Sequence, residues 1–356
     1  MSKILVKTKT KTYPVFIGNK SLNQIDKFIS SDSKVLILID KNVKEKCSQL
    51  VEKIENTFSD KNILIINCTE KNKSIKTVEK ICKYLSDNFY NRQSTIVSIG
   101  GGILGDLAGF VASIYMRGIK LIQIATTILS AVDSSVGGKT GVNFHNKKNL
   151  IGTFYQPEAV FINSEFFSTL HKREIISGIG ELVKYALIIP DLYDFFLREI
   201  KQVLFKKEVS DKLIQTSISI KAEFIKADEK EETGLRKILN LGHTFAHGFE
   251  SATNFRISHG QAVFSGIICA LMVSERKCLM QGNVLKKFLK DFSFIPNNKI
   301  LKQIDTNSVL NFMRSDKKNS QGEINLVLPS KDGIVINFPV EENVLIKTIN
   351  SFKRMI

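Results

Sequence analysis

Only five histidines occur in the 356-residue chain, and three of them, His243, His247 and His259, fall close together. In LNLGHTFAHGFE, His243 and His247 are four apart and share one face of a helix. Helical zinc proteases use an H-x-x-x-H spacing, but their chemistry needs a Glu directly after the first His as general base, and Thr244 stands there. Proteolysis is excluded; a metal is not. His259, in SHGQAVFSG, is placed to start the next helix and turn back toward that face. Neutral imidazoles with one carboxylate make a zinc site that keeps a position open for a substrate oxygen. The candidate carboxylate is Glu181 in SGIGELVKYALI, with Lys184 three residues on across the same face. A Glu on an otherwise apolar helix needs a reason, because burying an unpaired charge is costly. Metal ligation is one reason, and a simple Glu-Lys surface pair is the other.

Two glycine loops precede these helices. GGGILGDLAGF (100–110) follows the strand-like TIVSIG and opens a helix, satisfying G-x-G-x-x-G through Gly100, Gly102 and Gly105. Such a loop lets backbone approach a pyrophosphate at a helix N-terminus. It departs from the usual dinucleotide fingerprint, which sits on the first strand with an acid about 20 residues on; here no carboxylate lies between Asp106 and Asp133. A tight strand-to-helix turn is the plain alternative. The second loop, DSSVGGKTG (133–141), would be a P-loop if Gly stood at 133, but Asp133 is there and would repel a triphosphate. What remains is a flexible backbone that presents Lys139 beside Asp133, followed by Lys147, Lys148 and Asn149. That set suits an anionic, hydroxylated substrate better than a nucleotide, against the alternative of solvated lysines. Further on, KAEFIKADEKEETGLRKILN brings Lys221, Glu232, Arg236 and Asn240 toward the histidine helix. Arg236 and Asn240 are four apart, and Asn240 and His243 three, so one face carries a cation, an amide and an imidazole.

The elements that must position these residues fall into two halves. Short β-branched runs, VLILID (35–40), ILIINC (63–68) and TIVSIG (95–100), alternate with amphipathic segments, the pattern of βα units on a largely parallel sheet. MSKILVKTKTKTYPVFIG at the N-terminus alternates apolar and Lys/Thr positions and reads as a strand pair rather than a signal peptide. Helical periods then dominate around 174–189, 194–226, 236–253 and 261–280, before strand signals return in NLVLPS and GIVINF. The expectation is an α/β domain over 1–162 and a mostly α-helical domain over 163–356, meeting at a cleft of the kind where small-molecule sites sit. With 43 % hydrophobic and 24 % charged residues the composition is globular. No apolar run reaches the roughly 18 residues a membrane span needs. Five dispersed cysteines without C-x-x-C fit reduced thiols, so the expected location is the cytoplasm. The net charge of +16 comes from 42 Lys and only 9 Arg spread along the chain. That is a solvated, Lys-rich surface rather than a nucleic-acid stripe, and its field would draw an anionic small substrate.

Taken in order, GGGILGDLAGF, ASIYMRG, IATTILSAVDSSVGGKTGVNFHNKKNLIGTFYQP, GELVKY, DEKEETGLRKILNLGHTFAHGFE, SHGQAV and SDKKNSQGEINLVLP give a close resemblance to the 3-dehydroquinate synthase family, over nearly the full length. The resemblance implies a Rossmann-like N-terminal domain, a helical C-terminal domain and a homodimer, with no nucleic-acid or membrane partner. It implies NAD and a divalent metal, Zn2+ or alternatively Co2+. The metal ligands would be Glu181, His243 and His259, with His247 left to work on protons. NAD would touch Asp40, Asn42, Glu70, Lys73, Gly101, Gly102, Ile103, Asp106, Thr126, Thr127, Lys148, Phe166, Phe167, Ser168 and Thr169. A sugar-phosphate substrate would engage Arg117, Asp133, Lys139, Asn149, Lys184, Lys221, Arg236, Asn240, Lys317 and Lys318. Lys139, Lys184, Glu232, Arg236, Asn240 and His247 would be catalytic.

By the same resemblance the reaction converts 3-deoxy-D-arabino-heptulosonate 7-phosphate to 3-dehydroquinate. In that reaction zinc would hold and acidify the C5 hydroxyl, NAD would take up and return a hydride, phosphate would leave by β-elimination, and the opened ring would close in an aldol step. The chain departs from the family pattern at His171, where proline is commoner, at Asn163, where Asp is commoner, and in DEKEETGLR, which is one residue longer. Another sugar phosphate cyclase, or a metal-dependent polyol dehydrogenase, is the alternative within related folds. A nucleic-acid or scaffold protein is the alternative from charge alone.

Overall fold

The structure is a computed structural model that describes all residues except 31–32, 146, 281, 298 and 315–322. The chain begins with β1 (Ser2–Lys7) and β2 (Thr12–Ile17), the antiparallel pair that the N-terminal alternation predicts, in register Ser2 to Ile17. There follow β3 (Val35–Asp40), α1 (Lys41–Lys46), α2 (Ser48–Glu55), β4 (Lys61–Ile66), α3 (Ile75–Asp87), β5 (Thr95–Gly100), α4 (Gly102–Ile114) and β6 (Lys120–Ala125). A hairpin, β7 (Lys139–Phe144) with β8 (Lys147–Phe154), and then β9 (Ala159–Ile162) complete this stretch. Seven strands form one sheet in the order β1-β2-β9-β6-β5-β3-β4, parallel apart from the β1/β2 pair. Central strands such as β3 and β5 are buried on both faces, which is why VLILID and TIVSIG read as unbroken apolar runs, whereas edge strand β4 alternates. Leu36, Leu38, Ile96 and Leu121 of the sheet pack with Ile81 of α3 and Val111 of α4 in the core. Strand order reverses between β3 and β5, so the carboxyl ends at Asp40 and Gly100 flank the topological switch point where ligands bind open α/β sheets.

The remaining helices are α5 (Lys172–Ile188), α6 (Tyr193–Lys206), α7 (Asp211–Ala227), α8 (His243–Ala252), α9 (His259–Arg276), α10 (Val284–Asp291), α11 (Thr306–Arg314) and α12 (Glu342–Met355). Before α12 come β10 (Glu323–Ser330) and β11 (Gly333–Glu341), an antiparallel pair where NLVLPS and GIVINF predict strands. Two long helical periods are each split. Lys207 adopts a left-handed φ of 59° and Ser210 caps α7 by accepting from Leu213 N at 3.0 Å, which divides 194–226 into α6 and α7. Gly242, at φ 78°, separates a short turn (Leu235–Asn240) from α8.

Contacts divide the chain into two compact units, 1–171 with 209–230, and 172–208 with 231–356. Relative to a single cut at 162/163, the first unit also takes in residues 163–171 and, out of sequence, α7. Its buried Leu213, Ile214 and Ile218 belong to a face that packs on β1 and β2, a tertiary choice that helical periodicity does not encode. Gln215 Nε2 also donates to Ser2 Oγ at 2.6 Å. The segment after Asp133 also differs from a flexible loop, since Gly137 and Gly138 turn with φ of 101° and 68° into β7, and Lys139 is the first residue of that strand.

Candidate functional site

In the first unit, the residues expected to touch NAD gather at the carboxyl ends of the sheet. Asp40 ends β3 and caps α1, accepting from Asn42 N at 2.8 Å. Gly101 and Gly102 have no room for side chains: a Cβ would lie 2.9 Å from Thr127 Cγ2 at the first and 2.8 Å from Ser134 Oγ at the second. These glycines open α4, and the backbone N–H groups of a helix N-terminus suit an anion. Thr126 Oγ1 and Ser134 Oγ are buried beside this loop without a hydrogen-bond partner, the kind of orphaned hydroxyl that a bound polar ligand satisfies.

Two ion pairs lie among these residues. Lys73 Nζ donates to Asp106 Oδ2 and Asn149 Oδ1, both at 2.5 Å. Lys148 Nζ donates to Glu70 Oε1 at 2.7 Å, and Asn143 Nδ2 donates to Glu70 Oε2 at 2.9 Å. Burial works to raise the Glu70 carboxyl, but Lys148, then Asn143 and Lys73, outweigh it and lower the pKa below the usual value. The short turn after β9 holds Phe166 and Phe167 buried and Ser168 exposed, and Thr169 lies 3.3 Å from the Cys47 thiol at the end of α1.

Of the residues expected to meet substrate, five lie in this unit. Lys221 of α7 donates from Nζ to the Asp133 carbonyl at 2.7 Å and pairs with its Oδ2 at 3.0 Å. Lys139 and Asn149 are exposed, as is Arg117, which sits at φ 65° between Met116 and Gly118 in a run of three positive-φ residues. Met116 and Arg117, the two non-glycine members, carry backbone strain of the kind that clusters at ligand clamps.

The second unit builds the metal-type cluster from three helices. Each of the three side chains has a glycine for a neighbour: Gly180 before Glu181, Gly242 before His243 and Gly260 after His259. The reason is close approach. A Cβ on Gly180 would run into the Gly260 carbonyl, and one on Gly260 into the Ser177 carbonyl, so α5 and α9 can touch backbone to backbone only as glycines. Ser258 and Gln261 form a capping box that starts α9 at His259.

Glu181 is fully buried, and its Oε1 has no hydrogen-bond partner but lies 3.4 Å from His243 Nε2 and 3.2 Å from His259 Nε2. One ligand atom from each of Glu181, His243 and His259 falls within 4.8 Å of the others. A tetrahedral zinc with bonds of about 2.0–2.1 Å separates its ligands by roughly 3.3 Å, so these spacings fit one ion. The opposite ring nitrogens are tied down: His243 Nδ1 donates to the Leu241 carbonyl at 3.2 Å, and His259 Nδ1 to Glu250 Oε1 at 3.3 Å. Both Nε2 atoms are thus aimed at Glu181. Lys184 is buried and bonds the other oxygen, Oε2, of Glu181. Burial alone would raise the Glu181 carboxyl; Lys184, then His243 and His259, hold it well below the usual carboxylate range. Burial likewise opposes the His259 imidazolium, yet Glu250, then Glu181, raise its pKa to about 10, so an entering cation displaces that proton.

His247 lies one turn along α8, exposed, with its ring 5.8 Å from that of His243, and it is outside the trio. Arg236 is buried and Asn240 half-buried on the turn before α8, while Glu232 is exposed. Lys317 and Lys318 lie outside the described residues. Glu250 is the buried neighbour of the trio that the motif reading passed over. Its signal was available: it falls seven residues after His243 and three after His247, on the same helix face, as a buried acid in an apolar helix.

The 3-dehydroquinate synthase N-terminal family model matches residues 63–177 and the C-terminal family model residues 178–319. The chain belongs to the 3-dehydroquinate synthase family. It is 38 % identical over 371 aligned residues to the 3-dehydroquinate synthase of Pelagibacter ubique, covering 98 % of this chain and 97 % of that one. It is 40 % identical over 349 residues to the 3-dehydroquinate synthase of Alkaliphilus oremlandii, covering 93 % of each. Among solved structures it resembles a 2-deoxy-scyllo-inosose synthase in complex with carbaglucose-6-phosphate, NAD+ and Co2+, with a TM-score of 0.87, 25 % identity, and coverage of 98 % and 100 %. The α/β unit with its parallel sheet and the helical remainder are the fold of 3-dehydroquinate synthases. Among the described residues, no helix is long and apolar enough to cross a membrane.

Proposed function

We propose that this member of the 3-dehydroquinate synthase family, an NAD- and metal-dependent lyase, converts 3-deoxy-D-arabino-heptulosonate 7-phosphate to 3-dehydroquinate and phosphate. The observation that carries the mechanistic reading is the Glu181–His243–His259 trio, whose buried Glu181 Oε1 faces two imidazoles already aimed at it. Those three residues would hold Zn2+ or Co2+. Asp40, Asn42, Gly101–Ile103, Asp106, Thr126, Thr127, Glu70, Lys73, Lys148 and the 166–169 turn would hold NAD. When bound, NAD supplies a reversible hydride acceptor and the metal a Lewis acid for a substrate hydroxyl.

The chain's own side chains do the rest. Lys184 holds Glu181 ionised, which keeps the trio ready to bind a cation. Arg117, Lys139 and Arg236 are the cations for the substrate's carboxylate and phosphate, whose anchoring at two ends fixes the reacting carbons. Asp133, held by Lys221, and the amides of Asn149 and Asn240 would accept from and donate to ring hydroxyls. His247, one helical turn from His243 and reachable by solvent, is the group that moves a proton at the leaving phosphate's neighbouring carbon. Relatives at 38 % to 40 % identity carry the dehydroquinate synthase name, against 25 % for the inosose synthase, which favours the heptulosonate substrate over another sugar phosphate. Phosphate release is the test, measured on the heptulosonate phosphate and on glucose 6-phosphate, with and without NAD. Release from the first alone, and only with NAD, is expected; release from glucose 6-phosphate instead would make the chain a different cyclase.

A further inference from the structure

Glu250 has no role in the reading above, yet it is a carboxylate only 1 % exposed on α8. An acid does not stay in such a place without a charged or hydrogen-bonding counterpart. One counterpart is His259, whose Nδ1 lies 3.3 Å from Glu250 Oε1 while its Nε2 lies 3.2 Å from Glu181 Oε1. The imidazole therefore stands between two buried carboxylates. His243 differs, since its Nδ1 has a neutral carbonyl, that of Leu241, as acceptor.

We infer that Glu250 is a positioning residue for the metal: it holds His259 in the tautomer with hydrogen on Nδ1 and the lone pair on Nε2, and it supplies the negative charge that the trio lacks. This rests on Glu181, His243 and His259 being the ligands. Glu181 is offset by Lys184, bonded to its Oε2, so the two together bring no net charge to a dication. Glu250 adds the missing anion at one remove, through the ring of His259. A carboxylate acceptor also makes the imidazole a stronger electron donor than a carbonyl acceptor does, so His259 is the tighter-held of the two histidine ligands. Glu250 and His243 come from one helix and His259 from the next, so the contact also fixes how α9 begins relative to α8.

The test is metal affinity, read by competition with a chromogenic chelator on Zn2+, and the visible spectrum of the Co2+ form, for the full chain and its Glu250→Gln and Glu250→Ala variants. Glu250→Gln keeps the shape and an acceptor oxygen but removes the charge, and is expected to weaken zinc roughly ten-fold; Glu250→Ala removes both, and the loss approaches roughly a hundred-fold. The Co2+ spectrum changes in Glu250→Ala, because a freed imidazole reorients. NAD affinity stays at the parent value in both. A parent that carries labelled histidine gives a readout independent of variant folding: in the zinc-loaded protein, nitrogen NMR should find hydrogen on His259 Nδ1 and metal on Nε2. Unchanged zinc affinity in both variants, or a His259 Nδ1 without its proton, overturns the inference. Glu181→Ala, run alongside, separates the two levels: if it keeps its zinc, the ligand assignment itself is wrong and this inference falls with it.

Discussion

Lys184→Met in the metal-free protein isolates the buried pair at the centre of the trio. The substitution keeps most of the side chain's volume but removes the ammonium that bonds Glu181 Oε2. Glu181 is then left fully buried with its charge only partly matched. Breaking a buried pair from one side costs about 3–5 kcal/mol. Here the protonated His259 still faces Oε1, so the loss should fall at the lower end, about 3 kcal/mol. Urea unfolding at constant pH measures it. Adding Glu181→Gln to Lys184→Met removes the stranded charge, so the double variant should recover part of the loss, with a coupling of roughly 1–3 kcal/mol.

The pH dependence has a definite sign. Lys184 contributes most to keeping the Glu181 pKa depressed, so the stability it confers is full at neutral pH and is lost as pH falls through the depressed, folded-state pKa. The gap between parent and Lys184→Met should therefore close on acidification below the ordinary carboxylate value of about 4.3. Strictly additive losses in the double variant, or a gap that widens in acid, would refute the claim that Lys184 and Glu181 form one buried unit.

Zinc content should fall in Glu181→Ala and His259→Ala but not in His247→Ala, which should instead lose turnover; the reverse pattern for His247 and His259 would restore the i, i+4 pair as ligands. A methyl at Gly102 meets Ser134 Oγ at 2.8 Å, so Gly102→Ala must displace that hydroxyl and should weaken NAD binding at unchanged zinc content, by fluorescence titration. Lys139→Ala should lower kcat/KM by about ten- to hundred-fold through loss of one charge-assisted contact, with NAD and zinc affinity intact.

Much of this architecture was legible because it is local. VLILID and TIVSIG are strands buried on both faces, and G-E, G-H and H-G dipeptides mark backbones that must touch around the trio. Spacing alone pointed to His243 and His247 as joint ligands, and the trio of Glu181, His243 and His259 is what the helices assemble. That choice depends on where α5 and α9 cross, which no single helix period contains. The same limit explains α7, which reads as one more helix of the second half and packs with β1 and β2 of the first unit. It also explains Glu250, an acid whose purpose shows only once His259 lies beside it. The β7/β8 hairpin was hidden by its glycines and lysines, which obscure strand alternation.

The central claim is that one chain uses NAD without consuming it, around a cation held by Glu181, His243 and His259. The most direct measurement supplies the heptulosonate phosphate in large excess over NAD, with zinc-loaded protein, and follows phosphate release together with nicotinamide absorbance. Many phosphates should be released per NAD, with no net reduced nicotinamide at the end. Release that stops after one phosphate per NAD, or reduced nicotinamide that accumulates in step with phosphate, would contradict it.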